Sequence, residues 1–233
     1  MRFNILLCIF GLTGLFSCNT SKNLFILSGQ SNMAAMDPQE SFLPILQQKL
    51  GKRNVIVVKS ATSGQPIRRW YKNWEKFDLN LSNHMPDLYD TLLVKIHSGL
   101  EEKKIKTVTF IWMQGERDAR EQLGNYYETS LLGLYDQLCN DLNRQDINFV
   151  IGRLSDFDLQ NEKYPHWTIV REKQVKVAES NPRFDWVNTD DLNDGYNRRG
   201  KPIQNDLHMS AKGYKIMGER FAEKSLQLIK KNE

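Results

Sequence analysis

The stretch Phe25-Ile26-Leu27-Ser28-Gly29-Gln30-Ser31-Asn32-Met33 begins as an apolar run of strand length and breaks without a spacer into small and polar residues. A buried strand ending on Gly-Gln-Ser leaves the serine hydroxyl at its carboxyl end, where open α/β sheets bind their ligands. Ser31 is therefore a candidate nucleophile, weighed against the commoner use of such a residue as a turn or N-cap serine. Met33 stands where a Gly-x-Ser-x-Gly elbow would carry its second glycine, which argues against the α/β-hydrolase fold.

Outward from this stretch, short apolar runs alternate with longer segments of helical period. Strands are expected at 24–28, 54–59, 107–113, 148–154 and 185–188, and helices at 42–50, 86–102, 124–142, 166–179 and 210–231. Such alternation predicts a parallel sheet covered by helices on both faces, a three-layer α/β/α architecture. Five strands fit a flavodoxin-like order of about 2-1-3-4-5, with the ligand crevice between strands one and three. Ser31 follows the first of these and Gln114 the third. Pro86 suits a helix's first turn, and Ser210 is positioned to cap the last helix. No repeat or Pro/Gly-rich linker divides 24–233, so one domain is expected there.

Two further segments bear on Ser31: Trp112-Met113-Gln114-Gly115-Glu116-Arg117-Asp118 at a strand end, and Asn205-Asp206-Leu207-His208-Met209-Ser210 near the C-terminus. Together with Gly29-Gln30-Ser31-Asn32-Met33 they resemble, in family order, the carbohydrate-esterase branch of the SGNH (GDSL-like) hydrolases, the sialate O-acetylesterase and acetylxylan esterase group. The resemblance implies the SGNH form of the flavodoxin-like fold and a serine esterase that removes O-acetyl groups from a carbohydrate. No cofactor is needed for that chemistry, and no His/Cys/carboxylate cluster has metal-ligand spacing.

The resemblance implies Ser31 as nucleophile and His208 as the base that takes its proton. His84, His97 and His166 have no comparable setting. In the superfamily an Asp stands three residues before the histidine, and here that position is Asn205. Asp206 is the nearest carboxylate and the expected partner of the imidazole, with a Ser–His dyad helped by Asn205 or a backbone carbonyl as the alternative. Oxyanion donors implied are the backbone N–H groups of Ser31 and Gly64 and the side-chain amide of Gln114. Asn32, Glu116 and Asn205 count as supports: Glu116 holding the active-site loops, Asp118 or Arg117 pairing across the pocket. A glycosidase reading of Glu116 and Asp118 as paired catalytic carboxylates is the weaker one. Arg69, Trp70 and Trp74, in the loop after Gly64, are candidates for a wall that holds a glycan, unless the tryptophans simply pack against the sheet edge. The segment 190–200, with Tyr196, Arg198 and Arg199, is the candidate for the opposite wall.

The first 17 residues carry Arg2, an apolar run over 5–16 and Leu15-Phe16-Ser17-Cys18, which resembles a bacterial lipoprotein signal cleaved before a lipid-bearing Cys18. The run is shorter than the roughly 20 apolar residues of a bilayer span. An exported, membrane-anchored lipoprotein is expected, joined to its domain by a tether over 18–23. Residues 19–23 of it would reach roughly 18 Å when extended. Cys139 would then be the one thiol left free, so no intramolecular disulfide is expected. The balance of 32 Lys and Arg against 28 Asp and Glu gives a net charge of +4, too small and too evenly spread for a nucleic-acid partner. The other readings left open are a non-catalytic glycan binder and an SGNH esterase for lipids or thioesters.

Overall fold

The computed structural model describes residues 21–77, 85–100 and 103–232. The expected signal segment, Cys18 with the first half of the tether (18–20), His84 and the last two residues of the helix expected at 86–102 lie outside the described residues.

The central sheet has five parallel strands, β1 (Lys22–Gly29), β2 (Val55–Ala61), β3 (Ile105–Met113), β4 (Asn148–Gly152) and β5 (Phe184–Val187), in the order β2-β1-β3-β4-β5. This is the expected order. β1 starts two residues before the expected Leu24, and every residue of it from Asn23 onward is buried, as a central strand covered on both faces requires.

The helices are α1 (Ser31–Ala35), α2 (Phe42–Leu50), α3 (Asp87–Leu100), α4 (Glu116–Arg120), α5 (Gly124–Asp141), α6 (Trp167–Glu179) and α7 (Ala211–Asn232). The five long ones match expectation to within two residues at each end. α1 and α4, of five residues each, were not expected, because one turn of helix has no period to read. α2 packs on α7 and α5 on α6, which gives the outer layers. Right-handed crossovers leading from β1 toward β2 and from β2 onward in the other direction place α2 on one face and α3, α5 and α6 on the other. A small hairpin, β6 (Gly195–Tyr196) and β7 (Pro202–Ile203), stands apart from the sheet.

β1 ends level with its neighbours, Gly29 lying beside Ala61 of β2 and Met113 of β3. Its φ of +139° is open to glycine, and a Cβ there would fall 2.0 Å from the Met113 carbonyl oxygen. The chain then turns sharply: Gln30 N–H donates to the Met113 carbonyl at 2.9 Å and Thr62 N–H to the Gly29 carbonyl at 3.0 Å. Ser31 is thereby fixed at the carboxyl edge, at the switch point between β1 and β3. The Ser210 hydroxyl accepts from Gly213 N–H at 3.0 Å and caps α7, as expected.

Candidate active site

Ser31 opens α1, and His208 sits in the loop leading to Ser210 and α7. Ser31 Oγ and His208 Nε2 lie 3.1 Å apart across 177 residues of sequence. That is hydrogen-bonding distance for a nucleophile and its base. Both line an open hollow of about 580 Å³ whose walls include Ser63, Asn197, Arg198 and Tyr214. A larger hollow of about 750 Å³ runs along α6 and contains no histidine, so no serine–histidine pair faces it.

Asp206 is near the imidazole but does not grip it. Its Oδ1 accepts the backbone N–H of His208 at 2.9 Å and lies 3.8 Å from Nδ1, beyond a hydrogen bond. Both side chains are nearly half exposed, so solvent screens their attraction. Asn205 is turned away, with its amide donating to the Phe157 carbonyl at 3.1 Å and its Oδ1 accepting from Asn193 at 3.2 Å. A dyad helped by the Asn205 side chain is not what these bonds build. Asn205 instead shapes the loop, with φ at +44° and its N–H on Asp194 at 2.6 Å.

What holds the histidine loop against the serine is Asn32. Its Nδ2 donates to Glu116 Oε1 at 2.9 Å and to the Leu207 carbonyl at 3.2 Å. Its Oδ1 accepts from Met209 N–H at 3.3 Å and from the Tyr214 hydroxyl at 3.0 Å. One side chain thus saturates its bonding capacity on both neighbours of His208 in the chain, on α7 and on α4. Lys59 anchors the other end of α1 by donating to the carbonyls of Ala34, at 2.9 Å, and Met36. Tyr214 and Lys59 had no sequence signal of this role: a tyrosine on the apolar face of α7 and a lysine at a strand end read as packing and solvation.

Glu116 and Asp118 are fully buried. Desolvation, chiefly, pushes Glu116 up to about 7 and Asp118 up to about 6, and repulsion from Asp118 adds to the rise at Glu116. Asp118 Oδ2 accepts from Ile67 N–H at 2.9 Å and from Gln114 Nε2 at 2.5 Å. Glu116 thus accepts from Asn32 on α1 and Asp118 from the backbone at Ile67, each tying α4 to a neighbouring segment. Arg117 does not reach across the pocket; it pairs with Glu121 one turn along, at 2.6 Å.

The Gln114 expectation needs correction. The side chain is fully buried, and besides Asp118 its amide donates to the Gln65 carbonyl at 3.1 Å, with Gln30 Oε1 at 3.3 Å, while its Oε1 accepts from the Tyr127 hydroxyl at 3.1 Å. No proton of that amide is left over for an oxyanion; Gln114 instead fixes the loop that carries Gly64. The N–H groups of Ser31 and Gly64 have no backbone acceptor among the described residues, and Gly64 holds a φ of +70° in open space.

The glycan wall of Arg69, Trp70 and Trp74 is not built either. Trp70 and Trp74 are 1% and 2% exposed, Trp70 standing edge-on to Trp112 with ring centroids 5.3 Å apart. Arg69 closes a two-bond pair with Asp87 at 2.6 and 2.5 Å. Burying indole area in the core outweighed displaying it: Trp70 packs on Trp112 of β3, the middle strand of the sheet, and not on a sheet edge. Of the segment 190–200, Asn197, Arg198 and Arg199 line the hollow, whereas Tyr196, 65% exposed, does not.

Cys139 is buried on α5, and burial raises its pKa, which suits an inert packing thiol. Among the described residues no group of three or more His, Cys, Asp or Glu is arranged to hold a metal, and no helix is long and apolar enough to cross a membrane.

A family model described as carbohydrate esterase, sialic acid-specific acetylesterase, matches residues 35–227. The matched span begins four residues past Ser31 and takes in Gln114, Glu116 and His208. No curated protein sequence matches significantly. Among solved structures, a protein from Arabidopsis thaliana is similar with a TM-score of 0.66 at 16% identity, over 89% of this chain and 99% of that one. NanS is similar with a TM-score of 0.64 at 14% identity, over 90% of this chain and 98% of that one. A carbohydrate acetylesterase from Xanthomonas citri is similar with a TM-score of 0.59 at 18% identity, over 86% of this chain but only 55% of that longer one. At these identities the structures speak for the fold, and the family match, spanning most of the chain, carries the rest: this protein belongs to the sialic acid-specific acetylesterase family of carbohydrate esterases and is a carboxylic ester hydrolase.

Proposed function

We propose that this esterase removes O-acetyl groups from a carbohydrate through an acetyl-enzyme intermediate on Ser31. The observation that carries the reading is the 3.1 Å approach of Ser31 Oγ to His208 Nε2 at an open hollow. Ser31 Oγ attacks the acetyl carbonyl carbon while its proton passes to His208 Nε2. The tetrahedral oxyanion takes hydrogen bonds from the N–H groups of Ser31 and Gly64. Collapse breaks the bond to the sugar oxygen, which leaves with the proton from Nε2. Water then attacks the acetyl-serine, giving its proton to Nε2, and the serine oxygen departs with that proton as acetic acid forms. Asp206, whose Oδ1 lies 3.8 Å from Nδ1, steadies the imidazolium at a distance rather than through a direct bond.

The hollow has a mixed lining, and the hydrogen-bonding groups of Ser63, Asn197 and Arg199 beside Ala34, Ala35, Met209 and Tyr214 support a sugar as the ligand. The experiment is acetate release across acetylated xylan, pectin and sialoglycans, with Ser31→Ala as control. Release by the native chain, abolished in Ser31→Ala, supports the reading. Hydrolysis of long acyl esters or thioesters alone would replace it. To the same reading belongs a lipid anchor at Cys18, supported by the signal-like sequence before it, which would hold the enzyme at a bacterial membrane. Cys18→Ser should move the protein from the membrane fraction to the soluble one, and unchanged membrane association would argue against the anchor.

A further inference from the structure

The net charge of +4 is spread along the sequence but not around the fold. Because the five strands are parallel, all begin on one edge of the sheet, and the segments leading into them gather bases there. Lys52 and Arg53 precede β2, Lys103 and Lys104 precede β3, and Lys106 is the second residue of β3. Arg144 precedes β4, Arg183 precedes β5, and Lys230 and Lys231 lie in the last turn of α7.

Contacts between these segments place them on one surface. Lys22 donates through Nζ to the Arg53 carbonyl at 2.6 Å and through its N–H to the Lys104 carbonyl at 2.8 Å. Arg144 donates to the carbonyls of Ile105 and Lys106 at 3.1 and 3.0 Å, Arg183 to that of Asp146 at 3.3 Å, and Lys231 to that of Pro182 at 3.0 Å. A carbonyl partner orders a basic side chain and leaves its charge in place. Acids are fewer here: Asp146 is held by Arg144 at 2.6 Å, Asp141 accepts from the Tyr89 hydroxyl at 2.6 Å, and Glu179 ends α6. Glu101, Glu102 and Glu233, outside the described residues, would not balance the bases. At the opposite edge, where the Ser31–His208 hollow lies, bases are matched by acids: Arg198 by Glu40, Arg153 and Arg171 by Asp190, and Arg220 by Asp191.

Cations suit the C-terminal turns of helices, which accounts for Lys230 and Lys231. It does not account for Lys104 and Lys106, which lie beyond the end of α3 at Leu100. The described chain also enters at this edge, where β1 opens at Lys22. Cys18 precedes Lys22 by four residues, so a lipid there could lie no more than roughly 14 Å from this surface.

We propose that the amino edge of the sheet is a docking surface for an anionic lipid bilayer. Each Lys or Arg brought near such a bilayer adds to the attraction. The hollow then opens away from the membrane, separated from it by the length of β1, eight residues or about 26 Å. The choice of a lipid partner rests in part on the anchor at Cys18 proposed above; the chain tested lacks Cys18, so the two ideas fail separately.

Residues 19–233, which contain every described strand and helix, are mixed with vesicles of phosphatidylcholine alone or of equal parts phosphatidylcholine and phosphatidylglycerol, and bound protein is measured by flotation. Two triple variants remove equal charge: Lys52→Gln, Lys104→Gln and Lys230→Gln at the amino edge, and Lys163→Gln, Lys201→Gln and Lys212→Gln at the carboxyl edge. Turnover of 4-nitrophenyl acetate reports that each is folded. The unsubstituted chain should float with the anionic vesicles only, and release them as salt rises. The amino-edge triple should bind about tenfold more weakly or worse, and the carboxyl-edge triple within about twofold of the unsubstituted chain. No binding of the unsubstituted chain to anionic vesicles, or equal weakening in both triples, overturns the proposal. Retention on dextran sulfate without binding to vesicles overturns it too, in favour of a soluble polyanion.

Discussion

At the scale of single residues, the distances assign different weights to side chains that look alike in sequence. Asp206 sits 3.8 Å from His208 Nδ1 and is 42% exposed, unlike the buried, directly bonded acid whose loss costs a serine triad about 10⁴ in kcat. Asp206→Ala should therefore lower kcat only about ten- to a hundredfold, read with 4-nitrophenyl acetate; a loss near 10⁴ would mean the carboxylate closes on the imidazole during turnover. Trp70→Ala should act on stability, costing about 3–5 kcal/mol in chemical denaturation as a buried aromatic does, with KM for any acetylated sugar little changed in the fraction that remains folded. A selective rise in KM without loss of stability would restore Trp70 to the substrate wall.

At the scale of elements, the site depends on two joints. The first is the end of β1, where Gly29 lets the strand pass the Met113 carbonyl. Gly29→Ala should destabilise by several kcal/mol, since both a positive φ and a backbone clash oppose the methyl group. The second is Asn32, which ties α1 to the chain on either side of His208 and to Glu116 on α4. Asn32→Ala should cost about 1–3 kcal/mol of stability through the buried groups it leaves unpaired. It should also lower kcat more than it raises KM, because the serine–histidine distance is what loosens; equal effects on both would contradict a positioning role. Strands, long helices and sheet order were legible because burial on both faces writes continuous apolar runs, and helices write a period. Ser31 and His208 were legible because their motifs sit at a strand end and a helix entry. The Asn32 hub, the commitment of Gln114 to Asp118 and the burial of Trp70 and Trp74 were not, because each is decided by which loop lies against which, and no local pattern records that.

At the scale of the whole molecule, two buried acids set how stability responds to pH. The unfolded chain releases the Glu116 proton near 4.5, whereas the folded chain holds it to about 7; for Asp118 the interval runs from 3.8 to about 6. Their contribution to stability is fully present below the unfolded values and is lost as pH rises through the folded ones, at a slope on the order of 1 kcal/mol per pH unit for each group. Denaturation midpoints should therefore decline between about pH 5 and 7, and Glu116→Gln, whose carbonyl can still accept from Asn32, should flatten that decline. An identical slope in the variant would mean that Glu116 stays ionised in its buried position. The proposed mechanism requires the acetyl group to pass through Ser31, and the direct measurement is peptide mapping by mass spectrometry after acid quenching the enzyme during turnover of 4-nitrophenyl acetate. An acetyl adduct on the peptide containing Ser31, absent in Ser31→Ala together with turnover, is the predicted result; an adduct on another residue, or undiminished turnover in Ser31→Ala, would contradict it.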